Sequence, residues 1–428
     1  MSAEFIWKLW NQQYGLPQEN FYSDLLHTSR NLLDFKVPQG LQMNFTACPS
    51  STFANSHRLT IFPNIGGSLS FLHSSRPFAG YRGTKSVSLN DVIDGYRTVN
   101  EVQSPLDPHL QEIWHRGRRV DFRDTLLYGR LHLPRSKLEA IFARRLSPTR
   151  QLILTALSSA TLPNGGTIFA QLQQDYGTHT NEWIYNTDDA LIGFRHMRQL
   201  GADPRDRILR ALAETEANIA ETGEAIDLLT ELPFPQVPAD LPLSAYGRFS
   251  AGMEIYYGAL HKSGGISLGM RFATLPFYHG HPRTMTLTVN PLVGHLSSTY
   301  TMKIAGLATL CSRLDFNIFS YESDLTLGGE VWHYPATRHK KTQVGIRLGD
   351  EPEDRLGFER ADIVTLDSAK DKELVPSGVV KAYVHSATLM GGLLWEGRVK
   401  DFLVSIGGRF DLSKRAFGAF GVEMQYGA

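Results

Sequence analysis

The chain has 428 residues, and its 43 Lys plus Arg are matched by 43 Asp plus Glu, so the formal net charge is zero. That balance removes the broad basic field by which nucleic-acid-binding proteins hold phosphates, and nucleic acid is not an expected partner. Two cysteines, Cys48 and Cys311, are too few and too far apart for a disulfide framework or a zinc site. The apolar runs, such as that from Ile304 to Cys311, fall far below the ~20 residues that cross a bilayer as a helix.

The N-terminus is expected to carry neither a secretory signal nor a matrix presequence. Phe5-Ile6-Trp7 is too short an apolar core, and Glu4 precedes Lys8 with no arginine-rich amphipathic stretch. Phe5, Ile6, Leu9 and Trp10 form one or two amphipathic turns, which could lie inside a pore, lie against a membrane or fray.

From there the chain is dominated by short segments of period-two alternation, each with one apolar and one polar face. They begin near Leu41, Arg58 and Gly67. A stretch over 74–108 has few strand signals and reads as a loop. Strands resume near Thr125, Leu138, Gln151, Thr167, Asn181 and Ala190. Residues 203–232 read as a helical insertion in a loop: Asp203 suits an N-cap, Pro204 the first helical position, and Ile208, Leu212, Ile219, Ile226 and Leu229 fall near helical spacing.

Beyond it, Phe249, Ala251, Met253, Ile255 and Tyr257 oppose Arg248, Ser250, Gly252, Glu254 and Tyr256. Ile266, Leu268, Met270 and Phe272 oppose Ser267, Gly269 and Arg271, and Met285, Leu287 and Val289 oppose a row of threonines. Further strands start near Leu296, Arg313 and Asp324. The charged stretch 336–376 reads as a long loop. The series closes near Val379, Leu389 and Phe402, and then with Phe420, Val422, Met424 and Tyr426 against Ala419, Gly421, Glu423 and Gln425. Turns are expected at Asn164-Gly165, Gly264-Gly265, Asn290-Pro291 and Gly328-Gly329.

The series comes to roughly nineteen strands of about ten residues, the length that spans a membrane at a tilt. A soluble sandwich or propeller also alternates. Long, even strands favour a single all-β transmembrane barrel, as do aromatics near segment ends (Tyr256, Tyr257, Tyr300, Tyr321, Trp332, Trp395) and a polar face rich in Thr, Ser, Asn and Gln. On that polar face, Arg271, Arg313, Glu254 and Glu330 could set a field in a lumen or pair to fill it.

Catalytic, cofactor and metal sites are not expected. Gly265-Ile266-Ser267-Leu268-Gly269 has the spacing of a serine-hydrolase elbow, but alternation runs straight through Ser267 where a strand-to-helix turn is needed. His279-Gly280-His281 precedes Pro282 with no acidic or cysteine ligand nearby, and reads as a loop.

Several segments, in shared order along the chain, resemble the fungal mitochondrial distribution and morphology protein 10 family. They include Leu32-Leu33-Asp34-Phe35, Leu131-His132-Leu133-Pro134, Arg144-Arg145-Leu146 with Ser147-Pro148-Thr149, and Asn181-Glu182-Trp183. Gly247-Arg248-Phe249-Ser250-Ala251-Gly252, Tyr321-Glu322-Ser323 and Leu394-Trp395-Glu396-Gly397-Arg398 continue the likeness. The resemblance implies a porin-like barrel of nineteen strands in the mitochondrial outer membrane, closed by a parallel pairing of first and last strands. It implies membership of the ER–mitochondria encounter structure, beside its lipid-transfer subunits, and of the sorting and assembly machinery, which handles import-pore precursors. Membrane lipids are the remaining expected partner. The C-terminus resembles the β-signal of mitochondrial barrels, with Gly421, Met424 and Tyr426 in its last three places and Ala419 where a polar residue is expected. The competing reading is a metabolite channel of the voltage-dependent anion channel type.

Overall fold

The computed structural model describes residues 10–11, 18–77, 84, 87–100, 102, 114–116, 118–119, 124–134, 136–162, 164–200, 247–276, 278, 280–304, 307–334 and 376–427. The anticipated helix at 203–232 and the loop at 336–376 lie outside these residues, save Pro376.

Nineteen strands among the described residues form one sheet closed on itself. They are β1 (Gly40–Ser50), β2 (Phe53–Phe62), β3 (Gly66–Ser74), β4 (Thr125–Leu133), β5 (Lys137–Ser147), β6 (Arg150–Ser158), β7 (Gly166–Asp175), β8 (His179–Asn186), β9 (Leu191–Leu200) and β10 (Gly247–Gly258). The series continues with β11 (Ser263–Thr274), β12 (Arg283–Asn290), β13 (His295–Ile304), β14 (Ala308–Asn317), β15 (Ser323–His333), β16 (Gly378–His385), β17 (Met390–Val399), β18 (Phe402–Asp411) and β19 (Ala416–Gly427). Each strand pairs antiparallel with the next, and the ring closes by parallel pairing of β1 with β19, from Gly40↔Gly421 to Thr46↔Gly427. An odd number of alternating strands leaves the first and last pointing the same way, so parallel closure follows from the count.

The faces are inverted relative to a soluble β protein. On β12, Thr284 and Thr286 are buried while Met285 and Leu287 are exposed. On β14 and β15, Thr309, Thr326 and Glu330 are buried while Leu310, Leu325 and Leu327 are exposed. Polar side chains therefore line the inside and an apolar band covers the outside. In water that band would be a severe liability, whereas acyl chains solvate it. Closure also leaves no strand edge unpaired, which a lipid environment demands.

The two rims differ. Connections after even-numbered strands are short turns, the longest being 159–165. The long connections 75–124, 201–246 and 334–377 all follow odd-numbered strands and leave at the opposite rim.

Two expected turns prove to be strand interior. Gly264 and Gly265 belong to β11, and the chain reverses one turn earlier with Lys262 at φ 52. Gly328 and Gly329 lie within β15, where the reason for glycine is space: a Cβ at Gly328 would stand 2.7 Å from Leu33 of the helix α1 (His27–Leu33) packed inside the barrel.

Candidate functional site at the seam and in the lumen

The closing strand carries the β-signal-like residues, and its alternation divides them between faces. Gly421 is buried toward the lumen, whereas Met424 and Tyr426 belong to the outward set with Phe420. In the parallel register, Met424 stands beside Met43 and Tyr426 beside Phe45, and on its other side the Tyr426 ring meets Phe402 with centroids 5.3 Å apart. The three residues thus share a strand without forming a cluster. Gly421 has a direct steric role: a Cβ there would come within 2.4 Å of the Pro38 carbonyl oxygen and 2.7 Å of the Gly40 nitrogen, where the chain turns into β1. Ala419, in the remaining β-signal place, pairs with Arg409 of β18.

Parallel pairing is slightly weaker per residue than antiparallel pairing, and side chains in the lumen reinforce it here. Arg58 of β2 reaches across β1 to Glu423 of β19, with Nη2 3.0 Å from Oε1. Gln425 Nε2 donates to the same carboxylate oxygen at 3.2 Å. Thr84, from the connection after β3, donates its backbone N–H to the Gly427 carbonyl at 3.1 Å and its hydroxyl to the Asp401 carbonyl at 2.6 Å.

Inside the wall, the N-terminal segment advances round the barrel in strand order. Trp10 is fully buried against Ala54, Leu72, Leu126, Tyr128 and Ala143 of β2–β5, and its indole N–H points to Gln151 of β6 at 3.4 Å. This places Trp10 of the expected amphipathic turn inside the barrel; Phe5, Ile6 and Leu9 lie outside the described residues. Asn20 donates to Asp175 of β7 at 3.0 Å, and its carbonyl accepts from Thr180 of β8 at 2.9 Å and Gln199 of β9 at 3.1 Å. Arg248 of β10 donates to the Asn20 side chain. The Tyr22 hydroxyl donates to Ser267 of β11 at 2.9 Å. Farther along, Leu32, Leu33, Phe35 and Val37 bury themselves against Cys311, Tyr383 and Leu394. Asp34 accepts two hydrogen bonds from Arg313 of β14, at 2.7 and 3.1 Å.

A second segment, 87–100, crosses the lumen near the rim that bears the long connections. Leu89 and Ile93 pack on Trp332 and Val379. The Tyr96 N–H donates to Glu330 at 2.9 Å, the Asp94 carbonyl accepts from Lys381 at 2.7 Å, and the Asn100 carbonyl accepts from Arg248 at 3.0 Å. Trp332 is therefore a lumenal anchor and not a member of an outer aromatic girdle. Ser267 lies in mid-strand with Tyr22 as its partner, so the elbow-like spacing carries no elbow.

Three of the four charges singled out on the polar face serve these two segments, and the fourth pairs within the wall. Arg271 donates to the Glu19 carbonyl at 2.6 Å, Arg313 holds Asp34, and Glu330 holds Tyr96, while Glu254 pairs with Arg195 at 2.8 Å. Buried charges need such partners, because an unpaired one costs several kcal/mol. What the sequence did not disclose is the other half of each pair. Asn20, Asp34, Thr84 and the 87–100 backbone lie in irregular segments without periodicity.

Comparison with known proteins adds an independent line. The profile of the family described as mitochondrial distribution and morphology protein 10 matches residues 3–356 and 360–428. The protein of that name from Sclerotinia sclerotiorum is 44% identical over 410 residues, covering 95% of this chain and 94% of its own length. Its counterpart in Phaeosphaeria nodorum is 42% identical over the same shares, and that in Yarrowia lipolytica is 32% identical over 96% of this chain and 95% of its own. The closed barrel with its apolar outer band is that of a membrane protein. With the profile spanning almost every residue, the chain belongs to the mitochondrial distribution and morphology protein 10 family, whose name states a role in mitochondrial distribution and morphology.

Proposed function

We propose that the protein is a scaffold subunit of the mitochondrial outer membrane with two memberships. One is the ER–mitochondria encounter structure, where it anchors the tether and its phospholipid-exchanging subunits. The other is the sorting and assembly machinery, where it serves late steps in assembling outer-membrane barrels, including the general import pore. The observation that carries this reading is the division of labour between lumen and rim. The lumen is occupied by the chain's own 18–38 and 87–100 segments, while the long connections leave together at one rim. Such a body offers more to soluble partners docking on the rim than to solutes crossing the pore. The connections containing 203–232 and 336–376 are the candidate docking surfaces.

Affinity purification from detergent-solubilised mitochondrial membranes tests the proposal. Encounter-structure and assembly-machinery subunits are expected with the protein, together or as two pools. Deleting either rim connection is expected to weaken co-purification while membrane insertion survives. Recovery of neither set, combined with steady single-channel conductance in planar bilayers, would favour the metabolite channel instead.

A further inference from the structure

The outer wall over β6–β9 departs from the apolar band elsewhere. Arg150, Gln174, Asn181 and His196 stand abreast, Arg150 paired with Gln174, Gln174 with Asn181, and Asn181 with His196. One step nearer the rim of long connections, His179 pairs with Arg198. Their chain neighbours Gln151, Glu182, Met197 and Gln199 are buried in the lumen, so strand alternation turns this group outward. The next outward row down is apolar across β6–β10, with Leu152, Leu172, Trp183, Phe194 and Ile255, and ends beside Leu152 on the exposed Arg144 of β5. On β10, β11, β13 and β14 the outward residues Phe249, Met270, Tyr300 and Leu310 are apolar, whereas β2 turns Asn55 and His57 outward.

The group is arranged as well as clustered. His196 Nδ1 lies 2.7 Å from Asn181 Oδ1, and the His179 ring stacks on Tyr176 with centroids 4.8 Å apart. Trp183 and Phe194 meet with centroids 4.6 Å apart directly beneath. Arg150 and Arg198 have no carboxylate partner among the described residues. A cation on the outer wall of a barrel is costly at the bilayer midplane, but costs little at the height of the headgroups. There it meets phosphate, to which guanidinium is matched in shape and charge.

We propose that this patch is a headgroup site for anionic phospholipid. Arg150 and Arg198 stand at opposite ends of the patch, three strand spacings of about 4.8 Å apart, so each guanidinium takes a phosphate of its own, and His179, Gln174 and Asn181 between them supply hydrogen bonds. The acyl chains lie over Trp183 and Phe194. Lipid is the occupant because the group sits on the wall that faces the bilayer, immediately above the apolar band. The inference rests on that wall facing lipid, as the proposed function also requires.

The test reconstitutes the full chain into phosphatidylcholine vesicles containing a minor share of phosphatidylglycerol. The floated protein is then extracted in mild detergent, and retained lipid is quantified by native mass spectrometry. Wild-type protein is expected to retain phosphatidylglycerol well above its share of the vesicle. Each arginine removed in R150Q and R198Q is expected to reduce that enrichment about fivefold, from the attraction of one cation near an anionic surface. The charge-preserving R150K/R198K protein is expected to keep most of it, with an unchanged far-ultraviolet strand signal in every variant. Equal retention of both lipids by wild-type protein, or undiminished enrichment in R150Q/R198Q, would overturn the site while leaving the barrel in the membrane. Loss of a co-purifying protein subunit in R150Q/R198Q with lipid enrichment unchanged would reassign the patch to protein contact. Failure of the wild-type protein to float would overturn this proposal and the membrane reading together.

Discussion

The hairpin of β10 and β11 and the seam of β1 and β19 make the same kind of joint under opposite conditions. The hairpin strands are joined by a short turn and pair without interruption from Gly247↔Thr274 to Gly258↔Ser263. The seam joins the two ends of the sequence, is parallel, and pairs only from Gly40↔Gly421 to Thr46↔Gly427. A local hairpin closes a small loop and needs little beyond its own ladder, whereas the seam must close almost the whole chain. The seam accordingly draws on groups outside its ladder: Arg58 from β2, Thr84 from a connection, and Pro38 packed into the gap left by Gly421. Closure of this barrel is thus a property of wall and lumenal segments together.

The sharpest way to break the comparison is to fill the gap at Gly421. A valine there meets backbone on the opposing side, which has no rotamer to yield. Wild-type protein is expected to run as a compact, protease-resistant form on unheated gels, and G421V is expected to abolish it. The same form is expected to survive G129A, because a Cβ at Gly129 of β4 meets nothing within 4 Å. G328V is the next step down. Its neighbour, at 2.7 Å, is the end of the flexible Leu33 side chain, though Ala382 backbone stands at 2.8 Å. Overpacking of this kind costs roughly 1–3 kcal/mol, read as a lower denaturation midpoint.

The ion pair across the seam should matter less. Arg58 and Glu423 are 31% and 17% exposed, so a double-mutant cycle with R58A and E423A is expected to give a coupling of about 0.2–1 kcal/mol. The smallest effect is expected far from the seam, where turns at the short-connection rim meet. His261 and Asp189 are hydrogen-bonded there, which raises the imidazole pKa and lowers that of the carboxyl. With the folded value raised, the pair's contribution is complete below the ordinary histidine pKa and is lost as pH rises through the folded one. A nuclear magnetic resonance titration should find His261 titrating above the ordinary histidine range in wild-type protein and closer to it in D189N.

Most of the wall was legible in the sequence, because alternation over about ten residues fixes both strand and face. Segments beginning near Thr125, Leu138, Gln151 and Val379 start within a residue of the observed strands, and the opposed sets around Arg248 and Arg271 face as expected. Two features misled for one physical reason: the lumen is packed. Trp332 is an aromatic near a strand end, and Gly328 belongs to a pair with the composition of a turn, yet both answer to segments folded against the inner wall. Those segments are short, irregular and aperiodic, so no pattern in them announces their destination. The β-signal resemblance located Gly421 on the closing strand, but its contact with Pro38 depends on register between residues at opposite ends of the chain.

The account depends most on which face of the strands meets lipid. Single spin labels at Leu287, Leu314 and Leu327, and in turn at Thr286 and Thr326, would report it in reconstituted vesicles through collision with oxygen and with a water-soluble nickel chelate. The leucine sites, exposed on the outer wall, are expected to be rich in oxygen contact and shielded from nickel; the threonine sites, buried in the lumen, are expected to show little contact with oxygen. Leucine sites open to nickel, with threonine sites in the oxygen-rich phase, would contradict the barrel as an inverted, lipid-facing wall.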